Sequence, residues 1–232
     1  MSLGSSQRRE RVITMANRKV IHFEKWRVVQ AFIVLLLVAG FGTTTGSSAW
    51  ASPCTAVEVV VARGTNEPGY LGSGVGDPLY DTLRQTLPVS SSAYRVNYPA
   101  DLLDPTSISR GTQDMTAHIM WQSSICPDQR FILVGYSQGA VVTHGVLGTG
   151  IVTALGGMHT LPFDMEWRVA AVLLFGDPVR LVGWNVPDLY GWRTANYCTG
   201  GDPVCGAGFD FGAHGNYGWA MWPAAEFAAS RV

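Results

Sequence analysis

Beyond residue 51 the chain contains no lysine; Lys19 and Lys25, its two lysines, both lie near the start. That absence excludes a phosphate-cradling P-loop, which needs a lysine on the phosphates. Charge is scarce as well. Charged residues make up 14% of the 232 positions, and residues 52–232 hold nine arginines against fifteen acids, a net of −6. A surface of that sign argues against nucleic acid or anionic lipid as the main partner. Long hydrophobic runs are missing too: Ala31 to Phe41 has eleven residues, where a membrane-spanning helix needs about 20. The four cysteines form no paired C-x₂-C ligands and no histidine stands in register with them. A zinc site is therefore not expected, and the sequence calls for no other metal and no cofactor.

What is present begins with a leader. Arg8, Arg9, Arg11, Arg18, Lys19, Lys25 and Arg27, set against Glu10 and Glu24, precede the apolar run. A small polar stretch then ends in Ala49-Trp50-Ala51. A basic start, an apolar centre and an A-x-A site make up a secretory signal peptide. The expected division is a signal over 1–51, cleaved after Ala51, and one domain over 52–232, with an uncleaved membrane anchor as the alternative. Met15 is a second candidate start. Cys54, Cys126, Cys198 and Cys205 all follow the cleavage point, and an even count in an exported chain predicts two disulfides. Cys198 and Cys205 bracket a Gly-Gly-Asp-Pro turn, which favours Cys198–Cys205 with Cys54–Cys126.

Strand-like and helix-like segments alternate after the leader. Ala56–Ala62, Ala93–Tyr98, Phe131–Gly135, Val169–Phe175 and Trp192–Tyr197 read as strands. Helical patterns follow Asp77-Pro78, read as N-cap and first-turn proline, and cover 107–124, 138–147 and the tail 217–229. The run "VAAVLLF" must be buried on both faces. This alternation predicts an α/β domain, a parallel sheet covered by helices on both sides.

Gly135-Tyr136-Ser137-Gln138-Gly139 is G-x-S-x-G at a strand-to-helix junction. A sharp turn there lifts the hydroxyl above the sheet, and the flanking glycines leave room for the backbone and the substrate. The Gln138 N–H opens the following helix, where an oxyanion would be stabilised. A serine needs a base. His22 leaves with the leader, while His118 and His144 fall mid-helix and read as surface or packing residues. With the order serine, acid, histidine, His159 fails, because no acid separates it from Ser137. His214, in a late glycine-rich loop, fits. Two acids compete from the residues alone: Asp177 follows the most apolar strand, and Asp202 lies inside the proposed short disulfide loop.

The motifs "VVARGTNEPG", "GYSQGA", "FGDP", "YCTGGDPVC" and "AHGNYG", with the four cysteines in order, resemble the cutinase family across essentially the whole chain after the leader. The resemblance implies a single-domain α/β-hydrolase with a five-stranded parallel sheet and no large lid. It implies Ser137 as nucleophile, His214 as base, Asp202 as acid, and Thr65 with Gln138 as the oxyanion hole. Asp177 then becomes structural. The family often has Asn where this chain has Thr199, a departure expected to affect loop anchoring more than chemistry. The implied activity is hydrolysis of carboxylic esters, either cutin-like polyester, short- to medium-chain acyl esters or lipids, by a secreted or cell-wall-associated monomer. Phe209 and Phe211, just before His214, are expected to line the site mouth, with Tyr70 and Leu71 as weaker candidates.

Three rivals differ in class. The loop "GYLGSGVGD" puts Asp77 where a dinucleotide fingerprint needs its third glycine. A peptidase or thioesterase would use the same three residues. A silent exported lipid- or cell-wall-binding protein on this scaffold would have no need of them.

Overall fold

The computed structural model describes residues 54–232; the expected signal peptide and its cleavage site lie outside them. Five strands, β1 (Val57–Ala62), β2 (Ser91–Arg95), β3 (Arg130–Tyr136), β4 (Val169–Phe175) and β5 (Thr194–Tyr197), form one sheet. The order is β2-β1-β3-β4-β5 and every pairing is parallel. Four longer helices cover it: α1 (Gly76–Thr86), α2 (Ser107–Ile125), α3 (Gln138–Leu147) and α4 (Met221–Ala229). None of the helices among the described residues is long and apolar enough to cross a membrane.

Period-two alternation in β1 explains the two layers. Val57, Val59 and Val61 share a core with Leu79 and Leu83 of α1 and Ala224, Ala225 and Ala228 of α4. Val60 and Ala62 point the other way, into a core with Met115 and Ile119 of α2 and Ala140, Val142 and Val146 of α3. Every residue of β4 is buried, as its unbroken apolar run requires. Each large aliphatic side chain taken out of water in these layers contributes about 1.5–3 kcal/mol before conformational entropy is counted.

Two local readings are corrected. The second strand lies two residues earlier than its apolar pattern suggests. Ser91 and Ser92 pair with Val57 and Glu58 on the sheet edge, and Asp114 takes the Asn97 N–H at 2.8 Å, which ends the strand. Asp77 is not an N-cap. The helix opens at Gly76 after Val75, and the Asp77 carboxylate instead accepts the Leu71 N–H at 2.9 Å. Both predicted disulfides, Cys54–Cys126 and Cys198–Cys205, are formed.

The chain goes from β1 out to the edge strand β2, then crosses back to β3 on the far side of β1. The carboxyl ends of β1 and β3 therefore flank the point where the winding direction changes, the usual ligand position in open α/β sheets. The loop from Arg63 onward and Ser137 both begin there.

Candidate active site

Ser137 joins β3 to α3 with φ 53° and ψ −117°, a backbone state that costs a non-glycine residue about 1–3 kcal/mol. Its surroundings enforce it. The Ser137 N–H donates to Phe175 O of β4 at 2.9 Å. The flanking glycines are steric necessities: a Cβ on Gly139 would lie 1.9 Å from Ala62 O, and one on Gly135 would lie 2.6 Å from Gly139 O. The first turn of α3 thus sits directly against the end of β1.

The short helical turn Phe211–His214 brings the histidine to the serine. Its start is capped by Asp210, which accepts the Gly212 N–H at 2.8 Å. His214 Nε2 lies 2.9 Å from Ser137 Oγ, and His214 Nδ1 lies 2.8 Å from Asp202 Oδ2. A carboxylate only accepts, so Nδ1 carries the proton and Nε2 is left to accept from the serine hydroxyl. Gly176 makes this close approach possible. It has φ +54°, and a Cβ there would meet His214 Cε1 at 2.7 Å.

Asp202 is fully buried. Burial pushes its carboxyl up, but hydrogen bonds from Tyr217 and His214 and from the Val204 N–H outweigh this and hold it below the usual carboxylate value. Its loop is closed by Cys198–Cys205 and tied down by Thr199. The Thr199 hydroxyl donates to Asn216 O at 2.7 Å and accepts from Trp219 Nε1 at 3.0 Å. Thr199 therefore anchors this loop to the segment just after His214.

Asp177 also ends a strand but faces elsewhere. Its carboxylate takes His144 Nε2–H at 3.0 Å, Asn196 Nδ2–H at 2.7 Å and the Val179 N–H at 2.9 Å, where it caps a short helix. Asp177 and His144 are both fully buried. Burial raises the Asp177 carboxyl, and these donors bring it below its usual value. His118, in turn, bonds Glu58 at 2.7 Å and stacks on Tyr94. Neither mid-helix histidine is a surface residue; each hydrogen-bonds a carboxylate inside the protein.

Thr65 lies two residues past Arg63, in the loop leaving β1. No acceptor among the described residues takes its backbone N–H, and the Gln138 N–H, first in α3, has none within its helix. The Gln138 side chain points away from the serine: its oxygen accepts from Ser107 Oγ and its nitrogen donates to Asp101 O, each at 3.2 Å. The Thr65 loop is built around Glu67, whose carboxylate accepts the N–H groups of Gly64 at 2.6 Å, Gly74 at 2.8 Å and Val75 at 3.2 Å. Burial pushes the Glu67 carboxyl up, and these three donors only partly offset it. Arg63 fastens the other side of the loop through Tyr98 O and Pro99 O.

Phe209 is 96% and Phe211 77% exposed, so neither ring packs the loop. Leu102 and Leu103, 74% and 91% exposed, follow the Asp101 carbonyl that Gln138 holds. Tyr70 is exposed, whereas Leu71 is part of the core. Sequence reasoning missed Glu67, Tyr136 and Tyr217. Burial pushes the Tyr136 phenol up to about 12, so it stays protonated and donates to His214 O at 2.7 Å.

A family model described as Cutinase matches residues 53–232. The chain belongs to the cutinase family. It is 37% identical to "Phospholipase Culp4" of Mycobacterium tuberculosis, across 94% of this chain and 100% of that one. It is 35% identical to "Carboxylesterase Culp1" of Mycobacterium bovis, across 89% and 95%. Among solved structures, a Trichoderma reesei cutinase in complex with a phosphonate inhibitor superposes with a TM-score of 0.63 at 30% identity, over 77% of each chain. The catalytic core of acetyl xylan esterase from the same organism gives 0.66 at 26% identity, over 77% of this chain and all of that one. The cutinase fold expected from the motifs is the observed one, a single five-stranded parallel sheet between helices.

Proposed function

We propose that this cutinase-family chain is an exported serine esterase that hydrolyses carboxylic esters through an acyl-enzyme, acting as a monomer. The observation that carries the reading is the unbroken hydrogen-bonded series from Ser137 Oγ through the His214 ring to the buried Asp202. Ser137 Oγ attacks the ester carbonyl carbon while His214 Nε2 takes its proton. Asp202 fixes the tautomer and stabilises the imidazolium. The tetrahedral oxyanion is held by the Thr65 and Gln138 N–H groups, both fixed in place before substrate arrives, so no reorganisation is needed in the transition state. His214 returns the proton to the departing alcohol, and a water deprotonated by His214 then hydrolyses the acyl-enzyme. Because Asp202 is held below the usual carboxylate value, it is ionised at neutral pH and can accept the His214 Nδ1–H.

The substrate is a short- to medium-chain acyl ester, a lipid or a cutin-like polyester. The names of the relatives, a phospholipase and a carboxylesterase, support the ester class, and the two exposed rings that shortly precede His214 in the chain support an apolar acyl group. The test is a panel of p-nitrophenyl esters of increasing chain length. Exchanging Phe209 and Phe211 together for alanine should lower kcat/KM progressively more from acetate to octanoate. The loss should be at most about 0.8 kcal/mol, roughly fourfold, per methylene that loses contact. An equal loss on acetate and octanoate would remove both rings from the acyl site.

Export is supported by the two disulfides together with the basic, apolar and A-x-A segments of the leader. Intact mass of protein recovered from the medium or cell wall should correspond to a chain beginning at Ser52. Recovery of the uncut chain in the membrane fraction would establish an anchor instead.

A further inference from the structure

Two donors converge on one oxygen of the acid. Asp202 Oδ2 accepts His214 Nδ1–H at 2.8 Å and the Tyr217 hydroxyl at 2.5 Å, while Oδ1 takes the Val204 N–H at 2.7 Å. The phenol is held by packing and not by solvent: Tyr217 is 1% exposed. Its ring stands edge-on to Phe175 at 5.9 Å and to Tyr136 at 5.8 Å. The Thr199 N–H donates to the phenol oxygen at 3.4 Å, which leaves the phenol's own proton directed at Asp202. Gly176, whose missing Cβ makes room for the His214 ring, makes room for this hydroxyl too, since a Cβ there would lie 3.2 Å from it.

We propose that Tyr217 is a positioning residue for the esterase reaction, whose phenol locks the Asp202 carboxylate and weakens its pull on the His214 proton. The inference rests on the Ser137–His214–Asp202 reading above. A buried acid satisfied by any neutral donor would be stable. What sets this arrangement apart is that phenol and imidazole share Oδ2. Charge drawn into the phenol bond is withheld from the imidazolium, so a stronger phenol donor lowers the basicity of His214 and its loss raises it. The base then stays neutral, and able to take the serine proton, to lower pH.

Few other ionisable groups face His214. Tyr136 lies alongside with ring centroids 5.3 Å apart and donates to the His214 carbonyl. Asp210 caps the turn that carries His214. Glu67 acts on Tyr136 from the oxyanion loop, and Arg180 lines one cavity with Gly200, Gly201 and Asp202. None of them bonds the Asp202 carboxylate.

The test measures kcat/KM on p-nitrophenyl butyrate against pH for the wild type, Tyr217→Phe and the protein carrying 3-fluorotyrosine at 217. The acid limb reports the free enzyme's base. Tyr217→Phe should move that limb up by about 0.5–1 pH unit and lower kcat at the optimum by roughly tenfold. The fluorinated phenol, a stronger donor of nearly the same shape, should move the limb the other way. Opposite shifts from the two replacements are not expected of a residue that only fills the core. If Tyr217→Phe does not fold, the fluorinated protein alone decides. An acid limb unmoved in every folded variant overturns the proposal. Ser137→Ala run beside them keeps the two readings apart: full activity in that variant would remove the triad reading whatever Tyr217 does.

Discussion

Ser137→Ala, which removes the proposed nucleophile, should lower kcat for a short p-nitrophenyl ester by on the order of 10³-fold or more. The fold should survive. Ser137 Oγ has one hydrogen-bond partner among the described residues, His214 Nε2, and losing one such bond changes stability by about 1 kcal/mol. The unusual backbone at 137 is imposed by Phe175 O and by the packing of Gly135 and Gly139, not by the side chain. Circular dichroism and thermal unfolding of the variant should therefore stay close to wild type while turnover disappears. Undiminished ester hydrolysis by the folded variant would place the nucleophile elsewhere.

The second large effect separates the two acids. Asp202→Asn should reduce kcat by about 10⁴-fold with the fold retained. The amide that replaces the carboxylate has one acceptor oxygen: with that oxygen at the Oδ2 position its NH2 meets the Val204 N–H, and with the NH2 there it faces His214 Nδ1 and the Tyr217 hydroxyl. The wrong histidine tautomer then faces the serine. Asp177→Asn should do the reverse. It disturbs the buried hydrogen bonds to His144, Asn196 and Val179, so about 1–3 kcal/mol of stability should be lost. Its kcat should remain near wild type, because no atom of that network bonds the serine, His214 or Asp202. Replacing both Cys198 and Cys205 by serine should lower kcat at temperatures where the protein stays folded, since that disulfide closes the loop carrying Asp202, the proposed acid. Should Asp177→Asn prove the dead variant and Asp202→Asn keep normal turnover, the acid assignment is wrong.

The two acids also show where sequence reasoning stops. Each sits in the same local setting, Gly-Asp-Pro after a strand: Gly176-Asp177-Pro178 and Gly201-Asp202-Pro203. The strand before Asp177 and the cysteines around Asp202 argue in opposite directions and do not decide between them. The difference lies in which histidine each reaches across the fold, His144 from α3 or His214 from the late turn. The strands buried on both faces were legible, because "VEVVVA", "FILVG" and "VAAVLLF" suit nothing else. The edge strand β2, half-buried throughout and opened by two serines, carried no such pattern. Ser137 and His214, which the structure places 2.9 Å apart, stand out in the sequence by motif and order. Glu67 and Tyr217 do not. Glu67 works through three backbone N–H groups that any loop sequence supplies, and Tyr217 reads as one more core aromatic until its hydroxyl is placed against Asp202.

The central claim is that Ser137, activated by His214, is the atom acylated by the ester. Its most direct test is reaction of the purified protein with a fluorescent alkyl phosphonate, followed by peptide mapping of the adduct. The account predicts one label per chain, on Ser137 in the peptide spanning Phe131–Ala140, with esterase activity falling in proportion to labelling. A label on any other residue, or full inactivation with Ser137 unmodified, would contradict it.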